Sequence, residues 1–219
     1  NIEEMGYMFY HCSNLTSLNL SNFYTDNLKN VNSMFESCYN IKYLDLSNLN
    51  VNNVSNMEYM FKNCKALIYL DLGNFSNSTT ETTKEMFYNC HSLHSLNLSK
   101  FKTPFNKDMN KMFYNCSSLS FLDINDFNTE MVEDMSYMFY NCSNLNSLDV
   151  SNFYTYNLIE IKYMFYNCKL LTSLDLLNFN TENITDMGYL FTNCQKLKNL
   201  DLSNFNTSNV TNMGFMFNE

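Results

Sequence analysis

The sequence predicts an α/β solenoid of about eight 26-residue coils, each a short parallel β-strand joined to a short helical segment. Three observations predict it. Cysteines stand at Cys12, Cys38, Cys64, Cys90, Cys116, Cys142, Cys168 and Cys194, all at one constant interval. A column of Phe9, Phe35, Phe61, Phe87, Phe113, Phe139, Phe165, Phe191 and Phe217 keeps the same interval, and so does a Leu-Asp-Leu alternation such as Leu44, Asp45, Leu46. A fixed period between about 20 and 50 residues marks stacked repeats, in which equivalent side chains line up as ladders. The 219 residues make eight such units with a short partial one left over, read as a single domain over 1–219 and as part of a longer array.

Within one unit, Leu28, Val31, Met34, Phe35 and Cys38 are spaced 3, 3, 1 and 3, which puts them on one face of a short helix or 3₁₀ turn. Asn27, Asn53, Asn157, Asn183 and Asn209 stand where an N-cap belongs. The alternation that follows reads as a strand of period two, and parallel strands of successive coils would pair into one sheet about 4.8 Å apart. About nine inward side chains contribute roughly 1.5–3 kcal/mol each. Ordering every residue of a coil costs about 1.5 kcal/mol apiece, so one coil cannot fold alone and stability must come from stacking. The stretch Ser76 to Lys84 departs from the pattern, with Thr80 and Thr83 replacing the apolar pair, and Lys102, Thr103, Pro104, Phe105 follow in the next copy. The period survives there, which reads as a divergent helical segment rather than a lost coil, with a specialised binding loop as the alternative.

The unit M-x-x-M-F-x-x-C-x-x-L-x-x-L-D-L-S-x-F, seen as MSYMFYNCSNLNSLDVSNF over Met135 to Phe153, resembles the BspA-like leucine-rich repeats of bacterial and some protist surface proteins. The resemblance covers the whole chain without an insertion or deletion. It implies an extracellular or cell-surface location and a role in adhesion and macromolecular binding, with no enzymatic activity.

Composition narrows the partners. A net charge of -9 with no Arg, and with scattered Lys, argues against nucleic acid, because phosphate binding needs clustered cations. No run approaches the roughly 18 apolar residues of a membrane span. Neither a catalytic constellation nor a cofactor motif can be assembled from three His, four Gly and carboxylates laid out by the repeat. The one Cys/His cluster, Cys90, His91 and His94, should not converge on a metal, since Cys90 faces in and His94 out. The Cys column reads as a reduced, buried ladder, although adjacent coils bring their Cα atoms within disulfide range. Eleven N-x-S/T sequons, among them those at Asn53, Asn183 and Asn209, follow from an Asn-rich repeat and count as glycosylation sites only in a glycosylating host.

Two surfaces carry repeated outward chemistry. On the strand face, Asp45, Asp71, Asp123, Asp149, Asp175 and Asp201 share a column with Asn19 and Asn97, beside the aromatics Tyr43, Tyr69 and Phe121. These residues are the candidate contacts for a protein or glycan partner. Stacked carboxylates repel unless cations or protons compensate, or unless each accepts hydrogen bonds from neighbours, as Asp45 with Ser47 and Asp149 with Ser151. On the helical segments, Tyr7, Tyr59, Tyr137, Tyr163 and Tyr189 form one column and Tyr10, Tyr88, Tyr114, Tyr140 and Tyr166 another. They read either as an outer layer over the core or as a strip for a partner or for lateral packing of rods; such lateral packing, or end-to-end stacking of uncapped coils, would build fibres or a sheath.

Overall fold

The computed structural model describes residues 2–73, 75, 76 and 79–219. Residues 77 and 78 of the divergent stretch therefore lie outside the described residues. The chain winds in successive coils, one for each repeat of the sequence. Their inward side chains merge into one core that runs from Met5 to Met216 and includes the Met, Phe, Cys and Leu columns. Rings of the Phe column lie nearly parallel, with Phe87 and Phe139 each 5.6 Å from Phe113 at 3° and 5°.

The segments predicted to be helical are not helices. Among the described residues no helix occurs; each such segment is a run of tight turns. Over 109–116, Met112, Tyr114 and Cys116 donate their N–H to the carbonyls of Met109, Lys111 and Phe113, three residues back. The alternate N–H groups point along the stack instead: Met109 to Asp134, Lys111 to Ser136, Phe113 to Met138 and Asn115 to Tyr140, at 2.7–3.0 Å. Asp108 Oδ1 accepts the remaining N–H, that of Asn110, at 2.8 Å. An α-helix would commit every N–H to its own coil and leave none for the neighbour. Coil stacking at β spacing satisfies them all. The same 3, 3, 1, 3 spacing then directs its side chains inward from turns rather than from a helix face.

These turns require a left-handed residue twice per coil. Lys111 and Asn115 have φ of 55° and 58°, and Tyr137 and Asn141, Tyr163 and Asn167, Tyr189 and Asn193 repeat the pair. A positive φ at the third residue of a four-residue turn is the mark of type II, normally met by Gly or Asn. Asn at the second site follows that preference. Tyr, Ser, Glu and Lys at the first cost about 1–2 kcal/mol each.

The asparagines predicted as N-caps serve another purpose. Side-chain amides of Asn53, Asn157 and Asn209 donate to the carbonyls of Asp26, Glu130 and Glu182 in the preceding coil, at 3.2, 2.7 and 2.8 Å. They staple coils together, which also engages the amides of two of the sequons. Buried Thr103, Thr129, Thr155 and Thr181 act likewise, each donating its hydroxyl to a carbonyl of the following coil, those of Asn128, Tyr154, Asn180 and Asn206. Thr83 of the divergent coil and Asn106 of the next are wholly buried and bonded to each other at 2.8 Å, so a satisfied polar pair stands where other coils place apolar core residues.

The strand side is less continuous than the turn side. Parallel bridges link Glu4, Asn30, Asn56, Thr82, Asp108, Asp134 and Glu160 in sequence along the turns. Strands β1 (Tyr43–Asp45), β2 (Tyr69–Asp71), β3 (Ser95–Asn97) and β4 (Phe121–Asp123) form two separate two-stranded parallel sheets, β1 with β2 and β3 with β4. The single sheet predicted from the repeat is therefore interrupted. Leu46 N–H donates to Asp71 O and Leu98 N–H to Asp123 O, both at 2.8 Å, but among the described residues nothing joins Leu72 to Asn97. Gly73 lies on the β2 side of this break with φ of 53°; a Cβ there would stand 2.6 Å from the Cα of Ser47. Its turn is drawn tight against the preceding coil. Gly73→Ala is expected to lower stability by about 1–2 kcal/mol, measured as a shift of the urea midpoint. An unchanged midpoint would mean that this close approach is not a constraint.

Candidate functional site

The strand face is built by alternation. Leu44, Leu70, Leu96 and Leu122 point into the core, which turns residues on either side outward. Tyr43, Tyr69 and Phe121 are 63%, 52% and 54% exposed, so these large rings contribute little to the core. Register places Tyr43 opposite Tyr69 and Asp45 opposite Asp71, with Ser95 opposite Phe121. The predicted contacts thus lie on one face, as two adjacent tyrosines and then a phenylalanine beyond a serine gap.

Each member of the Asp column closes a local turn. Oδ1 of Asp45, Asp71, Asp123, Asp149, Asp175 and Asp201 accepts the backbone N–H two residues on, at 2.8–3.2 Å, and Asn19 and Asn97 do the same at 2.9 Å. Hydroxyl and amide groups of Ser47 and Ser151 hold the Asp45 and Asp149 carboxyls below the usual carboxylate range. The column is locally bonded, one oxygen of each carboxylate closing its own turn. Among the described residues no group of three His, Cys, Asp or Glu converges as a metal site.

The two tyrosine columns share one edge. Tyr88, Tyr114, Tyr140 and Tyr166 stack at 4.5–4.6 Å with ring planes within 8°. Tyr137, Tyr163, Tyr189 and Phe215 stack at 4.5–5.0 Å, and the columns touch crosswise, Tyr137 to Tyr140 at 5.9 Å and Tyr163 to Tyr166 at 5.7 Å. These tyrosines are half-buried. Loss of solvent, then the neighbouring Tyr114 and Tyr166, push the Tyr140 hydroxyl up to about 12. Tyr7 and Tyr10 are exposed and meet each other edge to face at 5.5 Å, while Tyr59 faces Lys62.

A feature that the sequence does not predict ends both stacks. Lys62 lies over Tyr88 at 5.3 Å and over Tyr59 at 4.7 Å, and Lys111 lies over Tyr137 at 5.6 Å. Buried Glu85 pairs with both lysines, at 2.6 and 3.8 Å. The ammonium groups cover ring faces that would otherwise have no stacking partner. Glu85 and Lys111 stand in the first tyrosine column and Lys62 in the second, so the breaks in those columns are the available signal. A second such element is the amide ladder of Asn63, Asn89, Asn115, Asn141, Asn167 and Asn193, in which each Nδ2 from Asn89 onward donates to Oδ1 of the preceding coil's Asn. In-register stacking of like amides permits such a ladder.

All eight cysteines are free thiols. From Cys38 onward each Sγ–H donates to a Phe carbonyl of the preceding coil, as Cys64 to Phe35 and Cys90 to Phe61, at 3.1–3.2 Å. Burial pushes the thiols up, to about 11 for Cys38 and about 12 for Cys142. The buried thiols from Cys38 to Cys168 are inert core donors, whereas Cys12 is exposed and stands outside this ladder.

Repeated coils joined by parallel pairing around a Leu, Phe and Met core define a leucine-rich-repeat solenoid. The chain belongs to the family described as "Mycoplasma protein of unknown function, DUF285", whose model matches residues 1–101, 81–175 and 171–219. This membership accords with the BspA-like resemblance of the repeat motif. A crystallised leucine-rich repeat protein from Bacteroides ovatus ATCC 8483 is similar at 18% identity and a TM-score of 0.42, over 95% of this chain and 59% of that one. The chain thus spans about three fifths of that protein. No curated protein matches it.

Proposed function

We propose that this solenoid is a non-enzymatic binding or adhesion module, extracellular or displayed at a cell surface, that engages macromolecular partners through its strand face. The observation that carries this reading is the row of Tyr43, Tyr69 and Phe121, exposed beside locally bonded carboxylates and unused by the core. Large rings left in water on an otherwise polar face supply contact area at low entropic cost. The triple substitution Tyr43→Ala, Tyr69→Ala, Phe121→Ala is expected to abolish ligand capture by immobilised protein while leaving the melting curve in place. Capture that persists in the variant would move the site elsewhere.

A second reading has its own observation. The half-buried tyrosine columns form a continuous aromatic strip from Tyr88 to Phe215, suited to lateral packing of rods into a fibre or sheath. Light scattering separates the two. A monomer whose mass does not change with concentration rules out the fibre, whereas filaments formed without any partner would displace adhesion.

A further inference from the structure

The strand face opens into a cleft of about 320 Å³ where β2 and β3 part, lined by Tyr69, Asp71, Phe75, Ser95, Asn97 and Lys100 among others. Its walls offer three distinct chemistries. Tyr69 stands exposed at the rim as a flat apolar platform. Asp71 uses Oδ1 on the N–H of Gly73, while its Oδ2 has only a long 3.4 Å contact from the Tyr69 hydroxyl and keeps acceptor capacity. Asn97 uses Oδ1 on the N–H of Ser99, and among the described residues its Nδ2 has no partner, so it is a free donor. An aromatic platform beside one acceptor and one donor matches a pyranose ring, which has an apolar C–H face and hydroxyls that both give and take hydrogen bonds.

Charge decides against a cationic guest here. Asp71 is accompanied by Lys100, so the cleft is close to neutral. The cleft beyond Phe121 is lined by Asp123, Asp149 and Asp175 and suits a cation instead, and the one between Ser173 and Asp201 lacks an aromatic ring. Asn97 is also the one amide between two carboxylates in its column, Asp71 and Asp123. The donor thus falls where the sheet is broken and the ring stands beside it.

We infer that the β2–β3 cleft is a saccharide subsite, in which a neutral sugar ring lies on Tyr69, donates a hydroxyl to Asp71 Oδ2 and accepts from Asn97 Nδ2. The assignment rests on the strand-face reading above and names the partner's chemistry as glycan. Saturation-transfer NMR on the full chain with methyl glycosides of glucose, galactose, mannose and N-acetylglucosamine tests it. At least one glycoside is expected to show transfer concentrated on ring C–H protons. Tyr69→Ala should weaken that binding roughly tenfold or more, Tyr69→Phe should retain it, and Tyr163→Ala, on the tyrosine strip, should leave it unchanged. Asn97→Asp, which keeps the acceptor for Ser99 but removes the donor, should weaken it comparably at an unaltered melting temperature. The subsite is refuted if no glycoside shows transfer, or if transfer survives both Tyr69→Ala and Asn97→Asp. A protein ligand captured by the strand face, with no glycoside bound, would overturn the saccharide assignment while the binding reading stands.

Discussion

Phe113→Ala is expected to lower the free energy of unfolding by about 3–5 kcal/mol, the largest effect of any single substitution considered. The ring is fully buried and lies between Phe87 and Phe139, nearly parallel to both. Alanine keeps the inter-coil bond from residue 113 N–H to Met138 O but leaves a void with aromatic walls. In a solenoid each coil contacts only its neighbours, so weakening one interface also weakens the coupling between the two sides. Equilibrium urea unfolding should therefore show an early first transition and a broadened or split profile, where the parent unfolds more cooperatively. A loss under about 1 kcal/mol with an unchanged slope would mean that the Phe column is not the main source of inter-coil stability.

The second large effect is kinetic. In the native 219-residue chain a thiol reagent is expected to modify exposed Cys12 promptly and half-buried Cys194 slowly, and to leave the other six unmodified until the chain unfolds. Two causes act together. The interior admits no reagent, and desolvation keeps the thiols of Cys64, Cys90, Cys116 and Cys168 protonated well above their ordinary range, whereas the thiolate is the reactive form. Mass spectrometry of chain labelled with and without denaturant reads the count directly. Prompt modification of Cys90 or Cys116 in the native chain would show that the coils do not stack as described.

Much of the architecture is legible because a translational repeat reports itself. Once Cys38 and Cys64 are equivalent, so are Phe35 and Phe61, and the inward and outward sets follow from Leu44, Asp45 and Leu46. The outward position of Tyr43 and Asp45 on the strand face is legible for the same reason, since they flank an inward Leu. The turn segments are not legible as turns, because 3, 3, 1, 3 spacing fits both a helix face and a run of type II turns. Asn63, Asn89 and Asn115 at one repeated position are the available hint, since Asn is the side chain that best tolerates a left-handed backbone.

The sequence by itself determined the period, the identity of each ladder and which side chains face the core, because these depend only on hydrophobicity and on equivalence between copies. Tertiary structure alone decided where each backbone N–H goes, that the sheet is interrupted beside Gly73, and that Lys62 and Lys111 cover the ends of the tyrosine stacks around Glu85. The physical reason is that these particular hydrogen bonds, ion pairs and ring stacks run between coils. Their partners lie a whole repeat away along the chain, and no local propensity within one coil states how closely the next coil approaches.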